Sequence, residues 1–411
     1  MIGNGADANN KSDALTVLFD GTTNVSGSVT ATSFIGDGSQ LTNLSVSSPF
    51  SLNDTSGNGI QSPTNTASGT LSIAMGEDTI ASAYVSTAMG RGTTASGYSS
   101  TAMGVGTTAS GEGSTALGGG TVASGYASTA MGDVTVASGV NSTAMGGYTT
   151  ASGDYSTASG DYSTASGGGS TAMGVETTAS GDYSTAMGYQ TTASGIRSTA
   201  MGGGVASGDF STAFGSSTAS GNSSFAVGNS TASGYGSIAL LSADASGAES
   251  VAIGRTVSAS GQLAVALGSG ETSAIGNLSI ALGFANEAYG DLSAAMGDHT
   301  IAYGYTSTSM GAYTSASGDY STSIGFRTAA SDYNSLVVGR YNLLGSTVTN
   351  SATQFSTENT AFVIGNGADA DNRSDALTVL FDGTTTIAGD LNLNSDARLK
   401  ANIISLGSTL A

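Results

Sequence analysis

The sequence predicts an all-β fold: a solenoid of short two-strand coils stacked into a flattened parallel β-roll. Three observations carry this reading. A fourteen-residue period runs through two thirds of the chain, with Ala-Met-Gly at Ala88–Gly90, Ala102–Gly104, Ala130–Gly132 and Ala144–Gly146 and Ala116-Leu117-Gly118 between them. A second phrase, Ala-Ser-Gly, interleaves at Ala95–Gly97, Ala109–Gly111, Ala123–Gly125 and Ala137–Gly139. A fixed short period means one structural unit repeated in a stack. Glycine then recurs every seventh residue beside dense β-branched Thr, which opposes helix and suits short strands broken by tight turns.

Each coil holds two unlike half-units. In Ser-Thr-Ala-Met-Gly, as at Ser86–Gly90, Thr87 and Met89 face one way and Ala88 the other. Both faces are apolar or small, which fits a strand covered on both sides. In Thr-Thr-Ala-Ser-Gly, as at Thr93–Gly97, Ala95 faces opposite to Thr94 and Ser96, which fits a strand with one side in water. Stacking such coils gives two parallel sheets. A single roll leaves the outer face of the first strand uncovered, so self-association along Met and Ile stripes is expected. The pattern alone allows a dimer or a trimer.

Further along, the phrase drifts. Ala186–Gly188 and Ala200–Gly202 keep fourteen; Ala213-Phe214-Gly215, Ala226-Val227-Gly228, Ala239-Leu240-Leu241 and Ala252-Ile253-Gly254 follow at thirteen. Ala281-Leu282-Gly283 follows Ala266-Leu267-Gly268 at fifteen, and fourteen resumes to Val337-Val338-Gly339. A one-residue change is tolerable in a turn, whereas inside a strand it would flip the faces. Ala158-Ser159-Gly160 stands where Ala-Met-Gly is expected, so a locally polar first strand is expected there. From Ala74 to Gly339 about nineteen coils at ~4.8 Å give a rod of roughly 90 Å.

Composition narrows the function. The chain has 411 residues, 63 glycines, two prolines and no cysteine, with nine Lys/Arg against 29 Asp/Glu and a net charge of −20. Nucleic acid and anionic membranes are poor partners for such a chain. No apolar run is long enough for a spanning helix, so no membrane insertion is expected. The start, Met1–Gly5, does not read as a secretory signal. Thiolate metal sites are excluded, and His299, the sole histidine, makes a His-based metal or acid–base site unexpected. No cofactor and no metal are expected. Gly-Asp-Tyr-Ser recurs around Asp154-Tyr155, Asp161-Tyr162, Asp182-Tyr183 and Asp319-Tyr320. It could recognise a glycan, but Tyr packing over neighbouring coils is the preferred reading. The outward Thr108/Ser110 and Thr150/Ser152 ladders could form an ice-binding array, but Val122 and Val136 interrupt them.

These phrases resemble the head repeats of trimeric adhesins of the YadA type, with Glu249-Ser250-Val251-Ala252-Ile253-Gly254 the best match. The resemblance covers residues 67 to 340. It implies a homotrimer of left-handed parallel β-rolls that binds host surfaces. The carboxyl end does not show the alternating, aromatic-girdled segments of an outer-membrane anchor, so a self-anchored autotransporter is not the expected setting.

The flanks point elsewhere. Ile2–Asp7 through Asp20–Thr23 recurs as Ile364–Asp369 through Asp382–Thr385. Leu15–Phe19 and Leu377–Phe381 are expected strands ended by Asp-Gly turns. The Asp/Asn-rich run Asn4–Asp13 fits no EF-hand spacing and is read as a solvated turn. Phe34–Leu44 resembles a connector of phage tail fibres. Ser395-Asp396-Ala397-Arg398-Leu399-Lys400 resembles the opening of the S74-type self-cleaving chaperone of phage tail spikes. That resemblance places Ser395 and Lys400 at the positions of the cleavage dyad, and a close, desolvated lysine can deprotonate a serine hydroxyl.

The expected organisation is therefore an N-terminal β module and connector (1–50), an entry to the rod (51–73), β-roll repeats (74–340), a C-terminal β module (341–394) and the start of an S74-type chaperone domain (395–411). The expected function is a structural and adhesive trimeric fibre, in a virion tail fibre or an extracellular surface appendage. Its expected partners are its own copies and a host cell-surface glycan or protein receptor. A bacterial trimeric surface adhesin is the alternative, and a glycan depolymerase ranks below both, because no paired-carboxylate groove can be read from repeats this uniform.

Overall fold

The computed structural model describes residues 2–3, 13–18, 20, 22–26, 28, 51–52, 60–344 and 352–390. The chain divides into two units, residues 1–49 and 50–411. The larger unit is a parallel β-solenoid with no helix among the described residues. Twenty first strands run from Ile73–Glu77 to Leu336–Arg340, and twenty second strands from Thr66–Ala67 to Ala329–Ala330. Each pairs in parallel with its counterpart one coil away, so Ala102 meets Ala116, Met103 meets Leu117 and Thr108 meets Val122.

A representative coil has its first strand at Thr87–Arg91 and its second at Thr94–Ala95. The first is five residues long and the second only two, a shorter element than the equal half-units suggested. Ala88 and Ala95 point inward and are fully buried, as are the corner residues Ser86 and Thr93. The interior is thus two methyl groups wide. At about 0.8 kcal/mol per buried carbon it contributes little per coil, so continuous backbone pairing must carry much of the cohesion. Thr87 N donates to Ser100 O (2.9 Å) and Thr94 N to Thr107 O (2.8 Å), and these bonds recur along the stack. At the corner, Ser86 and Ser128 donate their hydroxyls to the carbonyls of Ala83 and Gly125 (2.7 and 2.8 Å). At most other corners, Ser100, Ser114 and Ser142 among them, the buried hydroxyl has no such partner, so the bond does not account for serine throughout.

The two turns differ. The second turn, after the second strand, always spans seven residues from one inward position to the next, as from Ala95 to Ala102 or Ala274 to Ala281. All length changes fall in the first turn: Ala200 to Ala206 spans six, Ala266 to Ala274 eight. The register survives both changes, with Met187 on Met201, Met201 on Phe214 and Leu267 on Leu282. The expectation that drift belongs in turns holds, although the first strand shortens to three residues, as in Thr199–Met201.

Both turns hold a left-handed residue whose N–H reaches the preceding coil. Ser99 (φ 53°) donates to Tyr84 O and Gly92 (φ 61°) to Glu77 O, each at 2.9 Å. Val85, Val134, Thr256 and Thr306 take this conformation too, although β-branched residues resist it. The stacked ladder imposes it.

The glycine after Met is required twice over. Gly132 has φ 123°, and a Cβ there would sit 1.9 Å from Gly146 O. In the thirteen-residue coils the same position changes: Gly228 has φ 75° and a Cβ would come no closer than 3.7 Å to the next coil. That relaxation explains why Leu241 (φ 67°) can replace glycine in a short coil. Phase outranks local sequence elsewhere as well. Ala151–Ser156 and Ala158–Ser163 are the same hexapeptide, yet only the second puts its glycine, Gly160, at φ 123°.

Both ends of the solenoid change mode. Ser51–Leu52 pairs antiparallel with Ile60–Gln61, which enters the first ladder beside Ile73–Ala74. At the far end Thr360–Asn366 adds in parallel to Leu336–Arg340, then pairs antiparallel with Asp375–Leu380, which pairs with Thr385–Ile387. Side-chain amides finish the second ladder: Asn65 Oδ1 accepts Thr79 N (3.0 Å) and Asn342 Oδ1 accepts Ala329 N (2.7 Å). The ladder edges, otherwise open to pairing with other chains, are thus blunted. In the smaller unit Ile2–Gly3, Asp13–Val17 and Thr23–Val25 form the same three-stranded antiparallel arrangement. Ile2 faces Leu15 as Ile364 faces Leu377, and Leu15 faces Val25 as Leu377 faces Ile387. The sequence duplication is a structural duplication, pair by pair.

Two substitutions test the stacking account. Gly132→Ala is expected to destabilise by about 3–5 kcal/mol through strain and overlap, whereas Gly228→Ala should cost about 1 kcal/mol. Local amide hydrogen exchange across the affected coils measures the difference; equal costs would refute it.

Candidate interaction surfaces

The outward face of the first sheet carries two columns. The first descends from Ile73 through Thr87, Thr101 and Thr115; the second holds Met75, Met89, Met103, Met131, Met145, Met173, Met187, Met201, Met296 and Met310, every methionine except Met1. These side chains are half-buried to exposed in the chain as it stands, with Met173 at 45%. From Phe225 to Leu282 both columns turn apolar, pairing Phe225 with Val227, Ile238 with Leu240, Val251 with Ile253, Val265 with Leu267 and Ile280 with Leu282. Ser159 stands in the Met column between Met145 and Met173, the polar interruption expected from the sequence.

The outward face of the second sheet is polar: the position of Thr94 and that of Ser96 repeat as Thr and Ser along most of the rod. Three consecutive coils depart, with Ile275, Tyr289 and Tyr303 in the Ser column and Ser273, Glu287 and Ile301 beside them. A shallow groove of about 450 Å³ adjoins them where the first turn is longest, lined by Glu271, Phe284, Glu287, His299 and Ile301 among others.

Along the turn edges, Asp and Tyr of the Gly-Asp-Tyr-Ser phrase part ways. Asp154, Asp182 and Asp319 each accept the backbone N–H of the equivalent residue one coil back, Val140 (2.9 Å), Gly168 (2.8 Å) and Tyr305 (2.8 Å). Tyr155 and Tyr183 are 68% and 67% exposed, yet Tyr183 lies against Gly169 of the preceding coil and beneath Arg197 of the next, and Tyr320 meets Tyr305 and Tyr333 edge to face, so these rings do pack over neighbouring coils while keeping an open face. Asp161-Tyr162 lies in a first turn instead, where Tyr162 stacks on Tyr148 at 4.9 Å. The first-turn edge of the last coils is a mixed ladder: Phe284, His299 and Tyr313 follow at 5.4 and 4.8 Å, and Arg327 lies 4.5 Å above Tyr313. His299 Nδ1 is 2.7 Å from Asp298 Oδ1.

A family model for the YadA head domain repeat matches residues 67–93, 206–231 and 245–270, and overlapping windows of it cover 95–204 and 302–342. Together these span more than half of the chain. The chain belongs to the YadA head repeat family. No curated protein matches it. The repeated residues that carry the match are the ones the fold consumes: buried alanines, corner serines and close-stacked glycines. The YadA head repeats therefore account for the scaffold, and surface function must reside in what varies upon it.

Ser395, Lys400 and the connector Phe34–Leu44 lie outside the described residues. The Asp/Asn-rich run is described in its second copy, where Asp369 Oδ1 accepts Asp371 N (3.0 Å) and Asn372 N (2.9 Å), a hydrogen-bonded turn. Backbone and side-chain bonds from Asn372 hold its carboxyl below the usual carboxylate range. Among the described residues no group of His, Cys, Asp or Glu is arranged to hold a metal ion.

Asp182→Ala removes a backbone acceptor and is expected to cost about 0.5–1.5 kcal/mol, while Tyr183→Ala, at a largely exposed ring, should cost less. Thermal unfolding of the two variants decides this, and a larger loss for Tyr183 would contradict the division of labour.

Proposed function

We propose that the protein is a trimeric adhesive fibre of a phage tail or related appendage, holding a receptor-contacting surface away from the particle. The observation that supports it best is the outward face of the first sheet, where a Met, Leu, Ile, Val or Phe column runs along most of the rod and both columns are apolar from Phe225 to Leu282, and which one chain leaves half-buried to exposed. Burying one Met, Leu or Ile per coil contributes about 1.5–3 kcal/mol, comparable with or greater than the paired alanines inside. Three copies joined through this face leave the second sheets and their turns outward, and three equivalent surfaces raise avidity for a repeated ligand. The mechanism is geometric, with no chemical step along the rod. The duplicated β module and the S74-like segment, with Ser395 and Lys400 as its proposed cleavage dyad, support the tail-fibre setting. Membership of the YadA head family supports the second reading, a bacterial trimeric surface adhesin at an extracellular surface.

Sedimentation equilibrium is expected to give three times the 39.7 kDa chain mass. Ile253→Asp combined with Leu267→Asp should shift it toward monomer and lower the unfolding temperature, because it buries charge in the joint. A monomeric native chain would overturn the proposal.

A further inference from the structure

We infer that the outward face of residues 273–320 is a carbohydrate-binding patch for a neutral or amino-bearing glycan, with the stacked pair Tyr289–Tyr303 at its centre. The proposal deepens the fibre reading and rests on it, since it needs the second sheet to face outward in the assembly.

The column after the second inward alanine is serine in every coil from Ser68 to Ser331 except three consecutive ones, which hold Ile275, Tyr289 and Tyr303. The backbone there is unchanged: Tyr289 N donates to Ala302 O (2.9 Å) and Tyr303 N to Ala316 O (2.8 Å), as Ser96 N does to Ala109 O (2.9 Å). Nothing in the coil calls for a large side chain at these points, and all three are exposed, Tyr303 by 50%. Unlike the Met column, they point away from the joint.

Their arrangement fits a sugar. The Tyr289 and Tyr303 rings stack at 4.9 Å and within 7°. Adjacent coils stack along the rod, so the pair lies face to face along it. The next residue in the column is Ser317, which leaves the far face of Tyr303 without a ring against it inside the column. At the neighbouring corner Tyr305 and Tyr320 meet edge to face at 5.4 Å, and both are exposed. Aromatic faces take the C–H faces of pyranose rings, and phenol and carboxylate edges pair with hydroxyls. Rigid, amphipathic tyrosines supply contact area at low entropic cost. Glu287 stands beside Tyr289, and burial followed by that carboxylate raises the Tyr289 hydroxyl above its usual range. With a net charge of −20, acidic sugars are disfavoured.

The test uses the full chain and its double variant Tyr289→Ser/Tyr303→Ser, which installs the serine that other coils carry and so preserves the coil. Both are applied to an array of neutral hexose, N-acetylhexosamine, amino-sugar, sialylated and uronic-acid oligosaccharides, with cationic peptides as a control class. Expected is retention on neutral or amino-bearing glycans that falls about tenfold or more in the variant, with native mass unchanged. Retention on none of these glycans, on acidic ones or cationic peptides alone, or equally by both proteins would overturn the assignment. A monomeric native mass with variant-sensitive glycan retention would overturn the fibre reading and leave the patch standing.

Discussion

Two alanine methyls fill the inside of nearly every coil, and the rest of the molecule follows from that narrowness. Sheets this close favour small side chains between them; among the largest fully buried side chains only Val257, Asn286 and Asn359 come ahead of threonine, and valine takes the inward position only at Val337 in the last coil. The apolar residues therefore have to sit outside. Many of them line one face, with Met, Leu, Ile, Val and Phe stacked in register along it. A roll that places its larger apolar side chains outside leaves a face that the proposed assembly would cover.

The same closeness governs the backbone. Gly146 O lies where the Cβ of residue 132 would be, and Gly111 O where that of residue 97 would be. The repeat is consequently intolerant where coils touch and free where they do not. Length varies only in the first turn, and glycine gives way to Leu241 only where the short coil opens that contact. Side-chain variety concentrates at the left-handed turn residues, where Tyr, Arg, Leu, Phe, Glu and Thr all occur in one structural position.

Period, strand faces, the location of the length changes in turns and the polar break at Ser159 were all legible in the sequence, because each follows from alternation along a strand. Ala95 opposite Thr94 and Ser96 predicted an outer strand with one wet face, and the structure has it. What escaped depends on coil-to-coil contact rather than on local preference. The equal half-units concealed a five-residue strand and a two-residue one. The burial of Ser86 and Thr93 was hidden because their hydroxyls look like surface residues. The identical hexapeptides beginning at Ala151 and Ala158 adopt different backbones because phase in the stack decides. The signal for the Tyr289–Tyr303 patch was present as a break in the serine column, but it carries meaning only once that column is known to face outward.

The central claim is that the first sheet's outer face is covered in the native assembly. Methionine oxidation by dilute peroxide, read residue by residue by peptide mass spectrometry, tests it most directly, because ten of the eleven methionines stand in that one column and the thioether reacts according to its exposure. All ten, including Met103, Met173 and Met310, which a lone chain exposes by more than a third, should oxidise far more slowly in the native protein than after unfolding. Oxidation of the column at the unfolded rate in the native protein would contradict the account.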